Sequence, residues 1–300
     1  MGYVSLQHKK HQRTLLRMML PGFAVMCVIF IYPIGKLLFN SLEYYKLIDT
    51  GNIHFIGFEN YFDAFRDTRF IQALITTLRY VLYALMIEVP LALVLMEIIS
   101  TTKRGVGLIK TSFLPSMIMP AVIAGTIWRL MLNPSFGIVT WIMSAFGVNA
   151  TTWLTSRATA LQCVVLVDIW SATPFLLIIF LAGRTSISEE LYESAKIDGT
   201  GKIRTFFSIT LPLMHNTLIF GLMIRLTDCI RVFPTIHIMT AGGPGTTTQT
   251  LNYYIYRTAF SYSNIGYGSA MGIIMLLISI ALVILLVNLF NVGKRGEITA

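Results

Sequence analysis

Charged side chains embedded in apolar sequence are the first candidates for chemistry. Arg79, Asp168, Arg225, Asp228 and Arg231 all stand inside long hydrophobic runs. An ionisable group at bilayer depth costs about 2.5–3.5 kcal/mol on insertion scales, so each needs an opposite charge, a water-filled cavity or a route to the surface. Carboxylates in that setting relay protons or cations, and guanidinium groups hold anions or pair with the carboxylates. Arg225, Asp228 and Arg231 recur every three residues, which puts them on neighbouring positions of one helix face as a polar stripe. Asp168 and Arg79 fall at comparable depth. Two uses stay open for this set: ion pairs that fix a bundle, or the lining of a path in which Arg225 or Arg231 meets an anionic group. Trp170, two residues from Asp168, is the aromatic candidate for such a path. Lys36 and Arg129 sit near span ends and can snorkel to the surface.

A second polar concentration lies between two apolar segments. Glu189, Glu190, Glu193 and Asp198 are interleaved with Arg184, Lys196, Lys202 and Arg204. Ser186-x-x-Glu189 is a capping-box pattern, and acids in the first turns suit the positive end of a helix dipole, so a helix is predicted to start near Ile187. Asp198-Gly199 supplies its stop, glycine accepting a left-handed cap. A second short helix, with Ile203, Phe206 and Phe207 as its apolar side, leads to Leu211-Pro212, where proline is placed to open the next span. Helices of about ten residues are unstable alone in water, so both need a surface to dock on. Gly199-Thr-Gly201-Lys202 looks like the end of a phosphate-binding loop. It lacks the earlier glycine, where Lys196 stands, and the hydroxyl after the lysine, where Ile203 stands.

The elements that must position these groups follow from composition. In 300 residues, 55% are hydrophobic and 12% charged, with a mean hydropathy of +0.70; soluble domains carry about 25% charged residues. The chain reads as an all-α polytopic membrane protein. Apolar runs at 18–39, 70–99, 108–132, 161–183, 213–239 and 267–292 give six transmembrane helices. The domain plan is a cytoplasmic segment at 1–17, a membrane domain at 18–292 containing the polar loop 184–212, and a cytoplasmic tail at 293–300. The first run is too long for a signal-peptide core, so it is expected to remain as a span. Lys and Arg number thirteen in the two termini and the loops near 100–110 and 184–212, against five in the opposite loops. The positive-inside rule therefore puts both termini and the 184–212 loop in the cytoplasm. Cys27, Cys163 and Cys229 lie in apolar runs without metal-ligand spacing, so no metal site is expected. The net charge of +9 fits loops facing anionic lipid, and nucleic acid is not implied.

The order Glu193-Ser194-Ala195, three residues, Gly199, nine residues, Ile209, one residue, Leu211-Pro212 resembles the EAA motif of permease subunits of ATP-binding-cassette (ABC) importers. Ser194 stands where alanine is usual, and Ser188 where proline commonly precedes the helix. Further stretches resemble the carbohydrate branch, the relatives of maltose and glycerol-phosphate permeases: Gly57-Phe58-Glu59-Asn60-Tyr61, Phe113-Leu114-Pro115, Trp128 with Asn133-Pro134-x-x-Gly137, Leu181-Ala182-Gly183, and Thr240-Ala241-Gly242-Gly243-Pro244. The resemblance implies the type I ABC importer permease fold in a bacterial inner membrane, with sugar or polyol-like solutes moved inward. It implies four kinds of association: a second homologous permease, two ATP-binding subunits, an extracytoplasmic solute-binding protein and the bilayer. It assigns ATPase coupling to Glu189, Glu190, Glu193, Ser194, Ala195, Asp198, Gly199, Ile209, Leu211 and Pro212, and binding-protein contact to Gly242, Gly243 and Pro244. The chain itself is then no enzyme and needs no cofactor, ATP and Mg belonging to the partner ATPase. The rival reading is an ion-gradient-driven secondary transporter using Asp168, Asp228 and Glu88; it explains the buried acids and leaves the 184–212 loop without a purpose. Gly268-x-x-x-Gly272 is expected to serve close helix packing within the chain.

Overall fold

Apolar runs of this length satisfy their backbone only as helices in lipid, and helices dominate the chain. The computed structural model of the protein describes residues 18–23, 25–102, 106–148 and 152–290. The leader 1–17, the tail 293–300, Lys103 and Arg104 lie outside the described residues. In order, the helices are α1 (Met18–Ser41), α2 (Glu59–Arg66), α3 (Thr68–Thr101), α4 (Val106–Ile118), α5 (Ala121–Met131), α6 (Ile138–Ala145), α7 (Ala160–Thr185), α8 (Glu189–Ile197), α9 (Lys202–Leu213), α10 (His215–Ile230), α11 (Pro234–Met239), α12 (Leu251–Tyr256) and α13 (Ile265–Leu289). A short antiparallel ladder pairs β1 (Glu43–Tyr44) with β2 (His54–Phe55), Glu43 facing Phe55 and Tyr44 facing His54.

Four helices, α1, α3, α7 and α13, are long and apolar enough to cross a bilayer, and two bent pairs, α4–α5 and α9–α10, raise the total to six if each pair is one span. Two of the expected spans therefore need correction. The run 108–132 is not one rod: α4 and α5 meet at 102°. Pro120 takes an extended ψ of 137° there and disfavours the helical region for the residue before it. The run 213–239 is also interrupted. The 73° bend falls at Met214, so Pro212 closes α9 where it was expected to open the span. The helix after it stops at Ile230, and Phe233, forced out of the helical region by Pro234, separates α11.

The chain forms two units. In the first, the described residues up to Asp67 join Ile255–Ile274. Here Gly268 faces Ala259 and Gly272 faces Leu37, so the GxxxG pair packs inside the unit. In the second, Thr68–Tyr254 and the described residues from Met275, α3 runs along α7 with α10 against both. At 34 residues and about 1.5 Å per residue, α3 is longer than a hydrocarbon core of about 30 Å. Its far end delivers Met96 and Ile99 to a buried cluster with Leu176, Leu177, Phe180, Ile187 and Met214. The approach of α7 to α10 depends on Gly183, where an added Cβ would sit 2.8 Å from Thr217 Cγ2 and 2.9 Å from its Cβ.

That proximity gives a test. Gly183→Ala is expected to cost about 1–3 kcal/mol by overpacking, read as a lowered unfolding midpoint in detergent. Adding Thr217→Ala should recover part of the loss. A Gly183→Ala protein as stable as the parent would contradict the packing described.

Candidate functional site

The buried charges converge. Arg225 on α10 directs its guanidinium between Glu88 on α3 and Asp168 on α7. Its Nε donates to Glu88 Oε2 at 2.9 Å, and its Nη2 donates to Glu88 Oε1 at 2.9 Å and to Asp168 Oδ2 at 2.7 Å. The Glu88 side chain is fully buried and that of Arg225 nearly so. Nη2 also approaches Cys229 Sγ at 3.3 Å. The donor atoms of Glu88, Asp168 and Cys229 lie within 4.8 Å of one another, a spacing that could hold a metal ion. In this cluster the guanidinium supplies the cation instead, and its planar fork matches the carboxylate geometry. One fixed positive charge thus ties three helices together at a depth where each acid alone would be costly.

The rest of the stripe is open. Asp228 Oδ2 stands 3.9 Å from Arg225 Nη1, and its Oδ1 stands 3.6 Å from Arg231 Nη2, with the side chain of Asp228 half exposed and that of Arg231 60% exposed. Among the path candidates, the structure brings Arg225, Asp168 and Asp228 together, carries Arg231 on the edge of that group, and leaves Arg79 exposed elsewhere on α3. Trp170 is partly exposed and meets Trp128 edge-on at 5.7 Å. Tyr80 and Tyr253 are buried and present no ring face to a solute. Arg129 donates from Nη1 to Ile238 O at 3.0 Å, an internal bond in place of a free snorkelling head. The partner that sequence reasoning left out of the path was Glu88, whose presence in an apolar run was the available signal.

The polar loop forms a second site. Its helix α8 is capped by Ser188, whose Oγ accepts from Glu190 N at 3.4 Å, two residues later than the capping box expected. Ser186 is still bound to α7, donating from Oγ to Ala182 O at 2.9 Å, and Ile187 is buried, so the new helix starts only beyond them. Glu189 and Glu190 fill the first turn, and Gly199 ends the helix with φ of +69°, a conformation that suits glycine. Gly199 to Lys202 simply links α8 to α9, so the phosphate-loop likeness has no strand before it.

The loop is braced from its inner side. Arg184 stacks over the Tyr192 ring with Cζ 3.6 Å from the centroid and faces Glu97 of α3 at 3.8 Å. The Tyr192 hydroxyl meets Thr210 Oγ1 at 3.0 Å. Ala195 is buried, and Tyr192 and Phe206 pack on the cluster around Met96. Its outer side is different. Ile197 and Ile203 are 86% and 75% exposed, Phe207 is exposed, and Glu189, Glu190, Glu193, Ser194 and Asp198 surround them in solvent. Of the remaining motif residues, Ile209 and Leu211 are half-buried and Pro212 is exposed. Ile197 was not singled out in the sequence because an apolar residue in a short helix ordinarily packs inward.

Gly242, Gly243 and Pro244 form a braced turn after α11. Gly242 has φ of +81° and lies so close to Tyr253 that a Cβ would come within 2.6 Å of the ring. Thr248 Oγ1 donates to Gly243 O at 2.8 Å, and Thr247 Oγ1 donates to Pro244 O at 2.9 Å. Exposure passes to the neighbours Ala241, Gly245 and Thr246.

Comparison with known proteins matches residues 64–295 to the family described as binding-protein-dependent transport system inner membrane component. The trehalose/maltose transport system permease protein MalF of Thermococcus litoralis is 33% identical over 279 residues, 91% of this chain and 93% of that protein. The sulfoquinovosyl glycerol transport system permease protein SmoG of Agrobacterium fabrum is 33% identical over 272 residues, covering 86% of this chain and 84% of its own length. Among solved structures, a bacterial ABC transporter importing the acidic polysaccharide alginate superposes with a TM-score of 0.83 at 24% identity, over 97% of this chain and 99% of that one. The alginate transporter in complex with its pentasaccharide-bound periplasmic protein gives 0.81 at 25% identity, over 96% of both chains.

The ion cluster yields its own test. Arg225→Ala leaves two acids without their cation and is expected to cost about 3–5 kcal/mol, seen as lost yield and a lower unfolding midpoint in detergent. Asp228→Asn, at a half-exposed position, should change stability little. Equal stability of Arg225→Ala and parent would remove the cluster from its structural role.

Proposed function

The chain belongs to the family of binding-protein-dependent transport system inner membrane components and has the type I ABC importer permease fold, and on that premise we propose that it is the membrane-spanning permease of an ATP-driven importer of a sugar or polyol-like solute. The loop 184–212 receives the motion of a separate ATP-binding subunit. The observation that carries this reading is the two-sidedness of the loop: a face anchored to α3 and α7 through Tyr192 and Arg184, with Ala195 buried, and an opposite face offering Ile197, Ile203 and Phe207 amid acids. Exposed apolar groups on a braced cytoplasmic loop suit a protein partner. ATP and Mg belong to that partner, and this chain works as a transport subunit.

The solute class rests on the relatives named above, which transport trehalose and maltose or sulfoquinovosyl glycerol, and on the alginate importer of like fold. A second homologous permease completes the membrane pathway, two ATP-binding subunits drive it, and an extracytoplasmic solute-binding protein delivers the solute near Gly242, Gly243 and Pro244, through the exposed Ala241, Gly245 and Thr246. Both termini face the cytoplasm, in keeping with the Lys and Arg distribution. The rival, a carrier driven by an ion gradient, draws on Glu88, Asp168 and Asp228. All three lie within 3.9 Å of the Arg225 guanidinium, a cation that does not deprotonate in this range of conditions, so they are poor candidates for a relay.

Substituting Ile197→Asp and Ile203→Asp together tests the coupling face. Because both side chains are exposed, the chain should keep its stability, while a co-expressed ATP-binding subunit no longer co-purifies and ATP-driven uptake falls. Undiminished co-purification would overturn the assignment. Arg231 is the stripe cation open to an anionic group, and Arg231→Gln is expected to weaken uptake of an acidic sugar more than of its neutral analogue. Equal effects on both would remove anion selection from Arg231.

A further inference from the structure

The segment between α1 and α3 carries an aromatic face. Phe55, Phe58 and Phe62 are each at least 64% exposed, and Phe65 continues the same side of α2. Positions 58, 62 and 65 follow the spacing of a single helix stripe. The opposite side is packed: Asn60 is 7% exposed and Ala64 is fully buried. Glu59, Asp63 and Arg66 are exposed along the flank between the two. Ile48, Leu47 and Ile53 add exposed apolar surface in the loop between β1 and β2.

The buried side of α2 is tied to the end of one candidate span, and Asp67, which caps α2, to the beginning of another. Asn60 Nδ2 donates to Ser41 O and Glu43 O, both at 3.0 Å, and Ser41 Oγ meets the Tyr61 hydroxyl at 2.7 Å. Ser41 is the last residue of α1. At the other helix, Tyr267 in the first turn of α13 donates its hydroxyl to Asp67 Oδ2 at 2.9 Å, and Gly266 N donates to Tyr45 O at 3.0 Å. A helix bonded to the end of one span and the beginning of another lies at the boundary of the hydrocarbon, and a helix lying there in the membrane plane turns its apolar side into the acyl boundary and its charges toward water. The occupant that fits is the bilayer surface itself. It is continuous with the apolar flank of α1, whose Phe30, Ile34, Leu38 and Phe39 are exposed along its length.

We infer that β2 and α2 together form an in-plane membrane anchor, inserting Phe55 of β2 with Phe58 and Phe62 of the α2 stripe among lipid chains at the bilayer face where α1 ends and α13 begins. It sets the depth of those two span ends, with Lys46 and Arg66 placed to meet headgroup phosphates. The inference depends on the chain spanning a membrane and not on the solute or the ATPase, so it stands or falls separately from the transport reading.

The test uses the full chain in phosphatidylcholine/phosphatidylglycerol proteoliposomes, carrying Cys27→Ala as the parent, with a nitroxide attached at Phe55→Cys, Phe58→Cys, Phe62→Cys or Asp63→Cys. Labels at the three phenylalanine positions should favour dissolved oxygen over a water-soluble nickel chelate by about fivefold relative to the label at 63, as expected for in-plane burial of one helix side. Nickel access equal to that at Asp63 would mean that the face lies in water and would overturn the anchor. Exclusion of both reagents would mean that protein covers it and would overturn it equally. Three independent positions keep the result readable if one substitution fails to fold.

Discussion

The packing of α3, α7 and α10 depends on one buried cation. Arg225 is held by Glu88 and Asp168, so helices α3, α7 and α10 each contribute one member of a charge cluster that none of them could carry alone. The bidentate contact to Glu88 sets the rotation of α10 about its axis, and the third contact sets that of α7. Small residues then let the helices close: Ala84 and Ala92 of α3 are fully buried, and Gly183 and Gly221 bring α10 against α7. Breaking a buried pair leaves an unpaired charge, so the cluster specifies the bundle more than it stabilises it.

The 184–212 loop is held by the same helices, farther along each of them. Glu97 lies nine residues beyond Glu88 on α3, and Arg184 lies sixteen beyond Asp168 on α7. Both reach the loop, where Arg184 stacks on Tyr192. In the proposed coupling, a push on α8 would reach the two rods whose middles hold the ion cluster. Rigid packing around Met96, Phe180 and Met214 offers little slack to absorb it.

Much of this was legible in the sequence, for physical reasons that differ by feature. Apolar runs near twenty residues announced the spans, and the acid-rich start and Asp198-Gly199 stop announced α8. The breaks at Pro120 and Pro234 were not legible, because Pro90, Pro115 and Pro174 sit inside α3, α4 and α7 without ending them. Whether a proline bends or breaks a membrane helix depends on the neighbours that satisfy the freed backbone groups, which local sequence does not contain. The stripe of Arg225, Asp228 and Arg231 was visible from spacing, but its division into one sequestered and one exposed arginine required knowing that Glu88, 137 residues away in sequence, lies opposite. The outward Ile197 was hidden for the converse reason: its exposure is set by Ala195 and Tyr192 having taken the inner side of the helix.

The proposed coupling of the 184–212 loop to an ATP-binding subunit can be probed most directly by placing a photo-crosslinking amino acid at Ile203 in the assembled transporter in its native membrane, with Ile284, exposed on α13, as the comparison site. Irradiation is expected to give an adduct with the ATP-binding subunit from position 203 and none from 284. An assembled, active transporter that gave no such adduct at 203, or gave it equally at both positions, would contradict the role of the 184–212 loop.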